Sequence, residues 1–218
     1  MLQLLFSMII SPLMAANLAV ISQSVGEVGD RVVTSREVQI SAAIDHALFP
    51  QKEKSLPLEL NLGDPAMANE VTAVLLEVVV HREAESFSVA HTTDEQIQES
   101  VRKVERTLDG KAFWQSLEAS PAEIKRYVSQ KLVAKAFIQF KTNSMAGVIS
   151  DNEAMVYYEK NRLKFGDLPF ASFKDNIKTF LAQQQLEDRT RAWFEIIKRK
   201  YKVRNILAEN KNNKVGPQ

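Results

Sequence analysis

The chain has no cysteine in its 218 residues. That excludes a disulfide framework, a thiol nucleophile, and every zinc or iron–sulfur site built on thiolates. Glycine and proline are also scarce, at seven each. Such a composition argues against a turn-rich all-β protein and against long disordered linkers. Histidine occurs three times, as His46, His81 and His91, with no spacing typical of a metal site. What is present is 45% hydrophobic residues and a length sufficient for one or two domains with a real apolar core.

The formal net charge of +1 conceals an uneven distribution. Residues 59–99 carry nine acids against Arg82, whereas residues 189–218 carry nine bases against Glu195 and Glu209. A basic C-terminal end can attract nucleic acid or anionic lipid. It can equally complement the acidic segment of its own chain, and the intramolecular reading is preferred.

Residues 1–16, MLQLLFSMIISPLMAA, have no charged side chain. An apolar block, the breaker Pro12 and small residues at Ala15, Ala16 and Ala19 together match a secretory signal, although no Lys or Arg precedes the block. The expectation is a signal peptide over 1–19, cleaved near 15–19, and an exported, periplasmic product. A buried N-terminal helix is the alternative. The block is shorter than the roughly 20 residues a stable membrane anchor takes.

The remainder reads as mostly α. Residues 25–33 suggest two short strands around Gly29-Asp30, a tight hairpin dipeptide. Thr34 or Ser35 caps a helix running towards Leu48, and Asp64-Pro65 opens another to about Phe87. Thr93-Asp-Glu starts a helix with Ile97, Val101, Val104 and Leu108 on one face, stopping at Asp109-Gly110. Phe113 and Trp114 fall on a short helical turn. Ser120…Glu123 and Ser150…Glu153 are capping boxes, the first opening a helix to about Lys141. A small-residue connector is expected over 143–148, a long helix from near Ser172 to Tyr201, and a strand over 202–207. That strand would join the N-terminal hairpin in a small sheet.

Signals of catalysis are weak. His81 and Glu85 lie one helical turn apart and read as a surface pair. Ser100-Val-Arg-Lys103 matches a Ser-x-x-Lys pattern but sits in mid-helix with no companion motif. Gly26-Glu-Val-Gly29 lacks the remaining features of a phosphate loop. No pair of carboxylates stands where burial would visibly separate two pKa values. The basic run over 198–202 lacks a nucleic-acid recognition motif.

The order of elements nevertheless resembles the SurA-type periplasmic chaperones and the related PrsA and PpiD foldases. GEVGDRVVTSREV over 26–38 resembles their N-terminal strand, turn, strand and helix start. LLEVVVHREA over 75–84 resembles part of their long second helix, and Thr93-Asp-Glu their next helix start. ISDNEAMVYYEKNRLKF over 149–165 is similar to the helix that precedes a parvulin-type prolyl isomerase domain. LPFASFKDNI over 168–177, with residues 193–207, resembles the helix and final strand that follow it. Seven residues separate Phe165 from Phe173, too few for an inserted isomerase.

The resemblance implies a single multi-helix chaperone core over 20–207, with a small β-sheet formed by the N-terminal hairpin and a C-terminal strand. Its C-terminal part (149–207) would close onto its N-terminal part (20–148), and a polar tail over 208–218 is expected to be disordered. The implied function is that of a non-catalytic, ATP-independent holdase without cofactor or metal. It would bind extended segments of unfolded exported or outer-membrane proteins in an apolar interhelical groove. The alternative is an assembly or regulatory module for one folded partner in the cell envelope. Phe113 and Trp114 are the first candidates for client contact, with core packing as the competing role. Met67, Met145 and Met155 are candidates for adaptable surface, or else for gap filling. Unfolded polypeptides are the expected partners, with self-association left open, and neither nucleic acid nor a stable membrane anchor is expected.

Overall fold

A computed structural model describes residues 22–50, 62–63, 65–87 and 92–214. The expected signal segment, Asp64 and His91 lie outside the described residues. Strands β1 (Ser24–Val28) and β2 (Arg31–Thr34) form a hairpin, followed by α1 (Ser35–Leu48), α2 (Pro65–Phe87), α3 (Asp94–Leu108), the short α4 (Ala112–Ser116) and α5 (Pro121–Met145). Helix α6 (Asp151–Lys160), two 3-10 turns (Arg162–Lys164 and Phe170–Ser172), α7 (Lys174–Lys200), β3 (Val203–Asn205) and α8 (Ile206–Lys214) complete the order. The fold is mostly helical with one small antiparallel sheet, ordered β2-β1-β3.

Local chemistry accounts for most boundaries. Gly29 takes φ +63° in the two-residue turn between β1 and β2, where a Cβ would be strained. Capping boxes open α1, α3, α5 and α6 at Thr34, Thr93, Ser120 and Ser150, each satisfying backbone N–H groups that a helix start leaves unpaired. Lys202, at φ +50°, ends α7 in the left-handed conformation and turns the chain into β3.

Three apolar clusters hold the elements. The first lies beneath the sheet, where Val25, Val28 and Val33 meet Val71, Leu75 and Val78 of α2, Phe137 of α5, and Trp193 and Ile197 of α7. The second gathers Ile40 and Ile44 of α1, Val104 and Leu108 of α3, and Tyr127 and Val128 of α5. Helices α1 and α5 contribute to both clusters and so join them. Each fully buried aliphatic contributes on the order of 1.5–3 kcal/mol. The third is a satellite of Ala154, Tyr158 and Ile177 between α6 and α7, edged by Tyr157, Phe165, Phe170 and Phe173.

β1 lies so close to α2 that a Cβ at Gly26 would stand 2.8 Å from Leu75 Cδ1 and 3.1 Å from the Arg204 carbonyl oxygen of β3. Gly26 pairs with Asn205 across the β1–β3 ladder. The acidic and basic regions meet in the ion pair of Glu83 with Lys200, and Arg204 reaches Glu27 at 3.0 Å.

Several boundaries depart from expectation. The chain after residue 207 is not a tail throughout, because α8 continues to Lys214. Asn205 explains this: its Oδ1 accepts from Ala208 N at 3.0 Å as a helix cap, and its Nδ2 donates to Ala68 O and Thr72 Oγ1 at 2.8 Å each. β3 is correspondingly shorter than the strand expected over 202–207. Helix α5 runs to Met145 rather than about Lys141, and Arg189 Nη1 donates to the Met145 carbonyl at 2.8 Å, serving one of the helix's unpaired terminal acceptors. Met67 is not surface. It is fully buried in the first cluster, on the same face of α2 as Val71, Val74 and Val78.

Candidate functional site

Helix α7 presents Leu186, Thr190 and Phe194 at four-residue spacing, so they share one face. With Leu76 of α2 and Thr142 of α5 they line an open groove of about 520 Å³. Leu186, Phe194 and Leu76 give it an apolar floor. Glu187, Arg191, Glu195 and Lys198 of α7 give it a charged margin of both signs. Lys198 Nζ donates to Glu195 Oε1 at 2.7 Å along that margin. Thr190 Oγ1 is buried without a hydrogen-bond partner among the described residues. The volume lies within the range of small-ligand pockets and accommodates a few side chains rather than a folded surface. Its groups suit apolar contact and main-chain hydrogen bonding.

The α6–α7 hairpin forms a second feature. Tyr157 and Phe180 lie 5.5 Å apart, Tyr158 and Phe165 5.1 Å, and Phe165 and Phe173 5.0 Å between ring centroids. Outside this aromatic base, Leu163 is 100% exposed and Leu168 55%. Tyr158 OH donates to Leu168 O at 2.6 Å, and Arg162 Nη1 donates to Leu168 O at 3.1 Å and to the Tyr158 hydroxyl.

The five residues singled out from sequence are not brought together. Phe113 and Trp114 are half-buried on α4 and pack against the second cluster. Trp114 also lines a separate hollow of about 370 Å³ with Glu105, Arg106 and Asp109. Met67 and Met145 belong with the first cluster, Met145 at its edge. Met155 is 38% exposed on α6. Only Leu76, Leu186, Phe194 and their polar neighbours converge on the larger groove, and sequence reasoning passed over them. For Leu186 and Phe194 the signal was the four-residue spacing within α7, read there only as helix, whereas nothing near Leu76 pointed to the groove.

The ionisable groups are mostly structural. Lys131 Nζ donates to Glu77 Oε2 at 2.5 Å and Gln130 Nε2 to Glu77 Oε1 at 3.1 Å, deep between α5 and α2. Burial pushes the Glu77 carboxyl up, against the pull of Lys131. Burial likewise lowers the His81 imidazole, opposed by Glu85 at 3.7 Å. No group of three or more His, Asp or Glu among the described residues is placed to hold a metal ion. No helix among them is long and apolar enough to cross a membrane.

Compared with protein-family models, curated proteins and solved structures, the chain matches none of them.

Proposed function

We propose that the chain is a non-catalytic, ATP-independent holdase of the periplasm that binds extended segments of unfolded exported or outer-membrane proteins. The observation that carries the reading is the open groove between α2, α5 and α7, with its apolar floor and margin of mixed charge. Leu76, Leu186 and Phe194 would take apolar client side chains from water, a non-directional attraction that tolerates many sequences. The charged margin of both signs sets no strong preference for client charge. Binding the unfolded state alone suppresses its aggregation by mass action, and release follows from affinity without a nucleotide. The segment order over 26–38, 75–84 and 149–177 supports the same reading through its resemblance to SurA-type chaperones. The apolar block of Leu2, Leu4, Leu5, Phe6, Met8, Ile9 and Ile10 supports export.

The test is light scattering of two unrelated, chemically unfolded proteins diluted into buffer with the full chain. Suppression of both, weakened several-fold by L186K, is the expected result. L186K places a charge on the floor of the groove at a half-buried site. Failure with both clients, or capture of one folded partner alone, overturns the holdase in favour of a dedicated assembly module. Catalytic acceleration of prolyl isomerisation in a short peptide overturns the non-catalytic assignment.

A further inference from the structure

We infer that the tip of the α6–α7 hairpin, residues 160–168, is a docking surface for an anionic lipid bilayer. The inference stands apart from the holdase reading, because the tip and the groove use different residues.

The tip places two leucines in water. Leu163 is 100% exposed and Leu168 55%, although the apolar cluster between α6 and α7 takes in their neighbours Phe165 and Phe170. Taking a leucine side chain out of water is favourable, so both would gain from a nearby apolar phase. The turn does not let them fold back. Phe165 is packed against Tyr158 and Phe173, and Arg162 ties the segment together through Tyr158 and the Leu168 carbonyl. Leu163 is thus held outward on an ordered 3-10 turn.

Charge identifies the apolar phase. Lys160 and Lys164 bracket Leu163, are exposed, and make no ion pair among the described residues. Arg162 adds a third positive charge between them, while the nearby acids are Glu159 and Asp167. Bases interleaved with exposed leucines fit a bilayer interface: the leucines enter the acyl boundary and the ammonium groups meet anionic headgroups. Two leucines are too small a patch for a specific protein interface, which buries roughly 800 Å² per partner.

The test is co-sedimentation of the full chain with vesicles of phosphatidylcholine containing about a third phosphatidylglycerol. Binding is expected at about 50 mM salt, weaker at about 300 mM, and absent on phosphatidylcholine alone. L163S should lower partitioning by about 10-fold, in line with one leucine's transfer energy. K160S/K164S should lower it by roughly 30-fold, at about 1 kcal/mol per lysine. These sites are exposed, so circular dichroism should show both variants folded. No binding to the anionic vesicles, or unchanged binding by L163S, overturns the inference. So does binding that survives K160S/K164S but is lost on neutralising Lys198 and Arg199, which would place the lipid contact at the end of α7.

Discussion

Lys131 Nζ lies 2.5 Å from Glu77 Oε2, joining α5 to α2 where the side chains are only 5% and 13% exposed. Gln130 occupies the other carboxylate oxygen and Asp45 stands 3.5 Å from the ammonium. Removing Lys131 therefore leaves the Glu77 carboxylate buried without a counter-charge, whereas removing Glu77 leaves the buried ammonium only the half-exposed Asp45.

E77L or K131M should each destabilise the fold by about 3–5 kcal/mol, whereas E77L/K131M should cost far less than the sum. Urea unfolding midpoints of the four proteins measure the coupling. Nearly additive losses would mean that the pair is more hydrated than its burial indicates. K131M also has a definite pH signature. A carboxyl raised in the folded state keeps its proton where the unfolded chain has lost it, so stability falls as pH rises above the ordinary glutamate value. Without the lysine's pull the carboxyl is held higher still, so this fall should extend to higher pH.

Glu123 has the opposite sign. Arg36 Nη1 donates to its Oε1 at 2.7 Å, and the Ser120 backbone and hydroxyl donate to Oε2 at 3.0 Å each. Led by the Arg36 hydrogen bond, these hold the carboxyl at about 2, below the ordinary 4.5. Its contribution is complete above the ordinary value and is lost as pH falls from about 4.5 to about 2. The wild-type midpoint should therefore drop more steeply through that window than that of E123Q. Glutamine keeps the helix cap but cannot ionise. Parallel curves would show that Arg36 is held by the Leu117 and Glu118 carbonyls alone.

Gly26 admits no side chain without displacing Leu75 or the Arg204 carbonyl. G26A should cost about 1–3 kcal/mol through overpacking. G63A, at a position with open space around it, should change stability by no more than about 0.5 kcal/mol. Thermal melting of the two variants distinguishes the clash from a general effect of glycine replacement.

The helix starts were readable because their causes are local. Thr93 with Gln96, Ser120 with Glu123 and Ser150 with Glu153 each solve a four-residue problem written in adjacent letters. The inward place of Met67 was also legible, since it continues the Val71, Val74 and Val78 stripe. The α8 start was missed, because residues 202–207 read as strand and the Asn205 cap is held in place by contacts to α2 that lie more than 130 positions away. Glu77 and Lys131 were not legible either. They are 54 residues apart, and nothing near either one announces the partner. The groove was hidden for the same reason, because Leu76, Thr142 and Phe194 come from three helices and only packing makes them neighbours. Resemblance supplied an expectation of a groove but not its residues.

The sheet imposes an order on events as the chain is delivered. Arg204 and Glu27 pair although they are 177 positions apart, and β3 completes the free side of β1. A chain emerging N-terminus first can form the β1–β2 hairpin early, but one edge of β1 then waits with unpaired amides and carbonyls. That edge closes only after residue 205 has cleared the ribosome or a translocation pore. Such long-range closure is slow, and it keeps the domain open through most of its delivery.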